Sequence, residues 1–227
     1  SSYIVAFYDS IEKIGRSTWQ DICGTDYPFL RYEFLFGLES AGSDAPQGSA
    51  CNVQSGWQPQ HGIVFDGDRP IAAFPMYLKY HSYGEYIFDW AWAEAYQRNG
   101  LQYYPKLLNA IPYSPVTGTR IAIDPAYQQQ QSLIFAEVID ACIDTCHKED
   151  ISSFHFLYPQ QATSNTLASL ATEQRASHQY HWFNRDKSTA PYRDFDHFLA
   201  DLKSRKRKDI KRERRLIEEQ NIQLIRL

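Results

Sequence analysis

Methionine is almost missing from this chain of 227 residues, and Met76 is the only one. Ser1 is therefore not expected to be the translation start. Cysteine is also scarce. Cys23, Cys51, Cys142 and Cys146 form no dense framework, so the chain reads as a protein of a reducing compartment, the cytoplasm. No run of about 18 apolar residues occurs, which excludes a spanning helix. The opening Ser1-Ser2-Tyr3-Ile4-Val5-Ala6-Phe7-Tyr8 has neither the basic region nor the long apolar run of a signal peptide. No nucleophile elbow, P-loop, HExxH or dinucleotide fingerprint is present. No internal repeat is visible.

What is abundant is aromatic and unevenly charged. Hydrophobic residues make up 43% and aromatic residues 15%, enough for a sizeable core and against disorder. The ring content suits an aromatic-lined cleft or a Tyr-rich core equally. Net charge is −4, but residues 203–215 carry +7 and the remainder −11. A strongly basic segment thus adjoins an acidic body.

Along the chain, residues 3–14 read as an opening strand. Ser17-Thr18-Trp19-Gln20-Asp21 offers a capped short helix, and residues 30–40 a second one. Residues 41–60, rich in Gly, Ser, Gln and Pro, read as an exposed loop. Residues 61–65 form a strand, Asp66-Gly67-Asp68 a hairpin turn and residues 69–79 the return. Residues 81–90 read as loop and part strand, then 91–99 as a short helix. Residues 107–111 and 120–123 are strand-like. Residues 128–147 predict the best helix, followed by a strand at 153–157, a helix at 163–172 and a strand at 179–184. A long helix is expected from 197 to 220. Residues 222–227 then alternate like a strand with nothing left to pair with, so the natural chain is expected to continue. The pattern is a mixed α/β fold, a mixed sheet with helices on its faces.

Cys142, Cys146 and His147 share a helix, and His178 and His181 lie close together at a predicted strand. Neither has zinc spacing or an evident further ligand, so core packing is favoured and no metal is expected. The unusual segment is 81–120, where Glu, Asp, Lys and Arg are interleaved with aromatic residues. That mixture fits a cleft presenting carboxylates on an aromatic wall, or a polar network satisfying itself beneath loops. The basic helix has three readings: nucleic-acid binding, a site for a nucleotide or coenzyme phosphate, and a solvated face.

Three segments carry a family resemblance: HSYGEYIFDWAWA at 81–93, YYPKLLNAIPYSPVTGTR at 103–120 and SRKRKDIKRERR at 204–215. Pro28-Phe29-Leu30-Arg31-Tyr32-Glu33-Phe34-Leu35 and Ser55-Gly56-Trp57-Gln58-Pro59 add to them. Together they resemble the FemAB-like family of bacterial N-acyltransferases of the peptidoglycan biosynthesis/recognition type. The resemblance implies a GNAT-like fold in two halves, with residues 1–193 as the first. Residues 194–227 would be the basic helix and first strand of a second, truncated one. It implies an acyl-CoA or aminoacyl-tRNA donor. The turn Asp124-Pro125-Ala126-Tyr127-Gln128 lacks the glycines usual where such a fold binds coenzyme pyrophosphate.

The expected activity is acyl or aminoacyl transfer to an amine of a small-molecule or peptide substrate, such as a peptidoglycan precursor. Glu85 or Asp89 would be the base. Tyr104, Tyr113 or backbone N–H groups near Gly118 would stabilise the oxyanion. His81, Tyr83, Trp90, Trp92 and Thr117 would line the substrate site. Lys106 and Arg120 would hold anionic groups there, and Arg205, Lys206, Lys208 and Arg212 on the basic helix would hold phosphate, with tRNA a possible partner. The alternatives are a non-catalytic module that binds a cell-wall precursor or peptide, and an RNA-binding protein using residues 203–215.

Overall fold

A computed structural model of the chain describes residues 3–40, 49–170, 172–178, 180–220 and 222. The chain divides into two compact units, 1–174 and 175–227.

The first unit holds two four-stranded sheets. The first is ordered β1 (Ile4–Tyr8), β3 (His61–Asp66), β4 (Arg69–Phe74) and β7 (Ala122–Ile123), all antiparallel. The second is ordered β2 (Trp57–Pro59), β5 (Tyr77–Lys79), β6 (Lys106–Asn109) and β8 (Phe154–Phe156), of which only β6 and β8 run parallel. The Asp66-Gly67-Asp68 turn closes the β3–β4 hairpin as the sequence predicts, with Gly67 at φ 59°.

Alternation along these strands feeds two cores. Val64, Ala72 and Phe74 face the long helix α5 (Gln131–Glu149), which brings Ile134, Phe135, Val138 and Cys142. Ile63 and Ala73 point the other way. They meet Trp19 of α2 (Arg16–Cys23) and Leu35 of α3 (Tyr32–Ser40). Each fully buried Val, Leu, Ile or Phe among them contributes about 1.5–3 kcal/mol. Cys142 and Cys146 lie within the first core, so the sulfurs pack as hydrophobes, and burial pushes the Cys146 thiol up to about 11.

Several expectations from periodicity need correction. The opening strand ends at Tyr8, because Ser10 Oγ accepts the N–H groups of Glu12 and Lys13 at 3.1 and 3.4 Å and starts helix α1 (Ile11–Ile14). Residues 41–48 lie outside the described residues. The rest of the expected loop is not all exposed, since Trp57 is fully buried and opens β2. The return strand 69–79 is two strands. Pro75 has no N–H for a ladder, and the Met76 N–H turns to His61 Nδ1 at 3.3 Å, so the hairpin crosses from one sheet to the other there. Residues 81–89 contain no strand, and Tyr83, Tyr86 and Phe88 are all exposed. The described residues of 179–184 form no strand either, with Tyr180, Trp182 and Phe183 exposed.

The helices α4 (Trp90–Arg98) and α6 (Gln161–Ser169) sit within a few residues of their predicted positions. In the second unit the expected long helix is two, α7 (Phe195–Asp201) and α8 (Ser204–Glu219). Leu202 turns extended, and Arg207 Nη2 donates to the Ala200 and Leu202 carbonyls at 3.3 and 3.0 Å, satisfying the end of α7. The expected strand at 222–227 lies outside the described residues except for Ile222.

Candidate functional site

The second sheet builds a row of three unusual side chains. Trp57 pairs with Lys79 across β2 and β5, and Lys79 pairs with Lys106 across β5 and β6. Side chains directly opposite on neighbouring strands share a face. Both lysines are buried, Lys79 fully. The loop that follows β5 folds back over them and brings Ser82, Glu85 and Asp89, all buried as well.

These groups satisfy one another. Lys106 Nζ donates to Glu85 Oε2 at 2.8 Å and closely to Asp89 Oδ2. Lys79 Nζ lies 4.0 Å from Glu85 Oε1. The Asp89 N–H reaches Ser82 Oγ at 3.4 Å, and the Tyr158 hydroxyl donates to the Glu85 carbonyl at 3.3 Å. Two carboxylates thus meet two ammonium groups, which is what permits so many charges to be buried. Glu85 Oε1 accepts no hydrogen bond, although the residue is only 3% exposed. Burial raises the Glu85 carboxyl above its usual range, against the lysines that pull it down. The Tyr103 and Tyr104 rings stand 5.8 and 5.9 Å from the Lys106 ammonium, and burial raises the Tyr104 phenol.

Trp57 and Tyr103 are buried at this cluster, but the aromatic residues of the following loop and helix are outside it. Tyr83, Trp90 and Trp92 are exposed, and Phe88 stacks on Trp90 with centroids 4.6 Å apart. Helix α4 buries none of its residues. His81 stacks edge-on against Tyr83 at 5.1 Å, and burial with the nearby Lys79 charge lowers its pKa. Gly56, at φ 70°, leaves room for that imidazole, since a Cβ there would sit 2.2 Å from Nε2.

Other expected site residues are engaged elsewhere. Arg120 is fully buried and donates to the Leu157 and Thr119 carbonyls at 2.6 and 3.1 Å and closely to that of Val116. Its guanidinium ties the 112–120 turn to the end of β8. The Tyr113 hydroxyl donates to the Ala50 carbonyl at 2.8 Å, while its ring leans on Trp57. The Gly118 N–H is taken by the Tyr158 carbonyl at 3.1 Å. Thr117 is exposed. At the turn without glycines, Asp124 Oδ1 itself accepts the Ala126 N–H at 2.9 Å.

Glu85, Asp89 and Lys106 are therefore brought together, with Tyr104 beside them. Lys79, Trp57, Ser82 and Tyr158 belong to the same cluster and were missed. The signal for Lys79 was available, because it ends an otherwise apolar run from Ile71 to Leu78 and the register sets it against Lys106. In the second unit Arg205, Lys206, Lys208 and Arg212 lie exposed on α8, which buries none of its residues. Among the described residues no cluster of His, Cys, Asp and Glu could hold a metal ion, and no helix is long and apolar enough to cross a membrane. A family model described as FemAB-like, peptidoglycan biosynthesis/recognition, matches residues 10–227. No curated protein matches the chain.

Proposed function

The chain belongs to the FemAB-like family, and from that premise we propose that it moves an acyl group, aminoacyl in kind, onto an amine of a peptidoglycan-type peptide. The family is one of peptidoglycan-related aminoacyl transfer with a GNAT-like fold, and the antiparallel and mixed sheets flanked by helices belong to that fold. In the proposed reaction the amine nitrogen attacks the ester or thioester carbonyl of the donor. A C–N bond forms, and the bond from the carbonyl carbon to the donor oxygen or sulfur breaks. The nitrogen gives up a proton to Glu85, and the departing oxygen or sulfur takes one up.

The observation that supports this reading best is the Glu85 carboxylate. One oxygen is fixed by Lys106, while the other accepts no hydrogen bond in a site nearly closed to water. Burial that raises its proton affinity makes it a stronger base. The Tyr104 phenol is the candidate donor to the developing oxyanion. Exposed Tyr83, Trp90 and Trp92 are candidates to seat the acceptor. Residues 194–227 are read as the opening of a second GNAT-like domain, and its helix α8 as a contact for phosphate on a coenzyme or tRNA. The four free thiols support a cytoplasmic setting.

The test is a thermal-shift screen of the full-length protein with acyl-CoAs, UDP-linked muropeptides and charged tRNA, followed by turnover of Glu85→Gln and Asp89→Asn. A ligand that raises the melting temperature names the donor or acceptor. Loss of about 100-fold or more in turnover with Glu85→Gln is expected of a base. Turnover within threefold of wild type would remove Glu85 from that role.

A second reading is favoured by one feature, the occupation of both carboxylates by Lys106. Carboxylates already held by a lysine suit a module that binds a cell-wall precursor without turning it over. It predicts a ligand shift with no product, and only a modest change in affinity for Glu85→Gln.

A further inference from the structure

Lys79 has no part in the reaction just described, yet the fold commits unusual contacts to it. Its ammonium lies 3.8 Å from the centroid of the Trp57 ring. It donates to the Tyr83 carbonyl at 3.1 Å, and Trp57 Nε1 donates to the same oxygen at 3.2 Å. Two side chains paired across β2 and β5 thus grip one backbone atom at the start of the loop that carries Glu85 and Asp89. The same ammonium lies 4.0 Å from the Glu85 oxygen that accepts no hydrogen bond.

The charge on Lys79 is finely opposed. Loss of hydration and the Lys106 ammonium across the ladder disfavour it, while the ring, the carbonyl and Glu85 favour it. The outcome is an ammonium drawn down from 10.5 to about 7, chiefly by burial. The other groups facing it are the His81 imidazole on the same loop and the Cys51 thiol, which burial pushes up to about 12.

We infer that Lys79 is a positioning residue of this site: when protonated it clamps the Tyr83 carbonyl against Trp57 and holds the free oxygen of Glu85 toward the acceptor amine, and when deprotonated it loosens both contacts. The inference rests on the reading of Glu85 as the base. It deepens that reading by tying the geometry of the base to a second proton.

A cation over an indole changes its emission, so Trp57 reports directly on the Lys79 charge. The full-length chain is titrated by tryptophan fluorescence, and Trp57→Phe is subtracted to remove Trp19, Trp90, Trp92 and Trp182. The expected result is a Trp57 transition centred near pH 7, the value to which Lys79 is drawn. Lys79→Arg stays charged throughout and is expected to be flat, with loop 80–89 as protected from hydrogen exchange as in wild type. Lys79→Met is expected to be flat as well, with that loop exchanging faster. A wild-type signal without a transition between about pH 5 and about pH 9 overturns the inference. So does a transition that survives in Lys79→Arg, since His81 would then be its source. If the transition is present but Glu85→Gln keeps full turnover, the clamp stands and Glu85 as the base falls. If Glu85→Gln abolishes turnover and no transition is seen, only the role of Lys79 falls.

Discussion

Lys79 and Lys106 stand directly opposite each other on adjacent antiparallel strands, and the carboxylate of Glu85 reaches both ammonium groups, 4.0 Å from the first and 2.8 Å from the second. Like charges in register across a ladder repel. In a buried sheet this arrangement holds only if counter-charges arrive with the loop, which is what Glu85 and Asp89 do.

Removing one member should therefore expose the others. Lys106→Met leaves Glu85 and Asp89 buried without their hydrogen-bonded cation, and is expected to cost about 3–5 kcal/mol of unfolding free energy. Adding Glu85→Gln should return part of that loss. In a double-mutant cycle by urea unfolding, a coupling between about 0.5 and about 3 kcal/mol is expected. Strict additivity would mean that Lys106 and Glu85 do not depend on one another.

Stability should also depend on pH through Lys79. The unfolded lysine holds its proton up to 10.5, while the folded one releases it at about 7. Between these values the unfolded chain binds more protons, so the lysine's contribution to stability rises with pH across that window and is least favourable below it. Glu85 works in the opposite sense at lower pH. Its folded pKa is raised above 4.5, so its contribution is complete below 4.5 and is lost as pH rises through the raised value. Wild type is thus expected to gain stability relative to Lys79→Met from about pH 7 upward. Buried tyrosines such as Tyr77 are common to both chains and cancel in the difference. Parallel curves for the two proteins would show that Lys79 keeps its proton throughout.

Much of this was legible in the sequence where the signal is local. The β3–β4 hairpin follows from Asp-Gly between apolar runs, α5 from its apolar face, and the Glu85, Asp89, Lys106 grouping from charges set among rings. What was not legible depends on partners distant in the chain. Trp57 sits in a stretch of loop-like composition, and only its pairing with Lys79 reveals a strand. The break at Pro75 becomes meaningful once His61 takes the Met76 N–H. Arg120 reads like a ligand-binding residue, because nothing in the sequence tells that three backbone carbonyls would engage all three of its nitrogens.

That distinction can be measured. If Arg120 works by holding carbonyls, Arg120→Lys cannot reproduce the planar fork and strands buried acceptors, each worth about 1–3 kcal/mol. A clear fall in melting temperature is expected without any ligand. An Arg120→Lys protein as stable as wild type would return the guanidinium to the substrate site.

Gly62 tests the packing beneath the hairpin. It pairs with Phe74 across β3 and β4, and a Cβ at Gly62 would lie 2.0 Å from the Phe74 ring. The ring covers the bare backbone in place of a side chain. Gly62→Ala is expected to cost about 1–3 kcal/mol by overpacking, and Phe74→Leu in the same chain should recover part of it. Urea unfolding decides the matter, and a harmless Gly62→Ala would show that the ring moves aside freely.

The basic helix allows a sharper test than counting charges. Arg205, Lys208 and Arg212 follow one another at three and four residues along α8, so they form one stripe, while Lys206 is turned about 100° away from Arg205. All four are exposed, so changing them to Gln should leave unfolding free energy within about 0.5 kcal/mol. A polyphosphate that tracks the stripe would release counterions as it binds. Replacing Arg205, Lys208 and Arg212 together should then reduce the slope of log affinity against log salt by about 2 to 3, measured with single-stranded RNA. Lys206→Gln should change that slope less than Lys208→Gln. Equal effects at the two positions would mean the helix acts as a diffuse charge, and an unchanged slope in the triple variant would remove α8 from anion binding altogether.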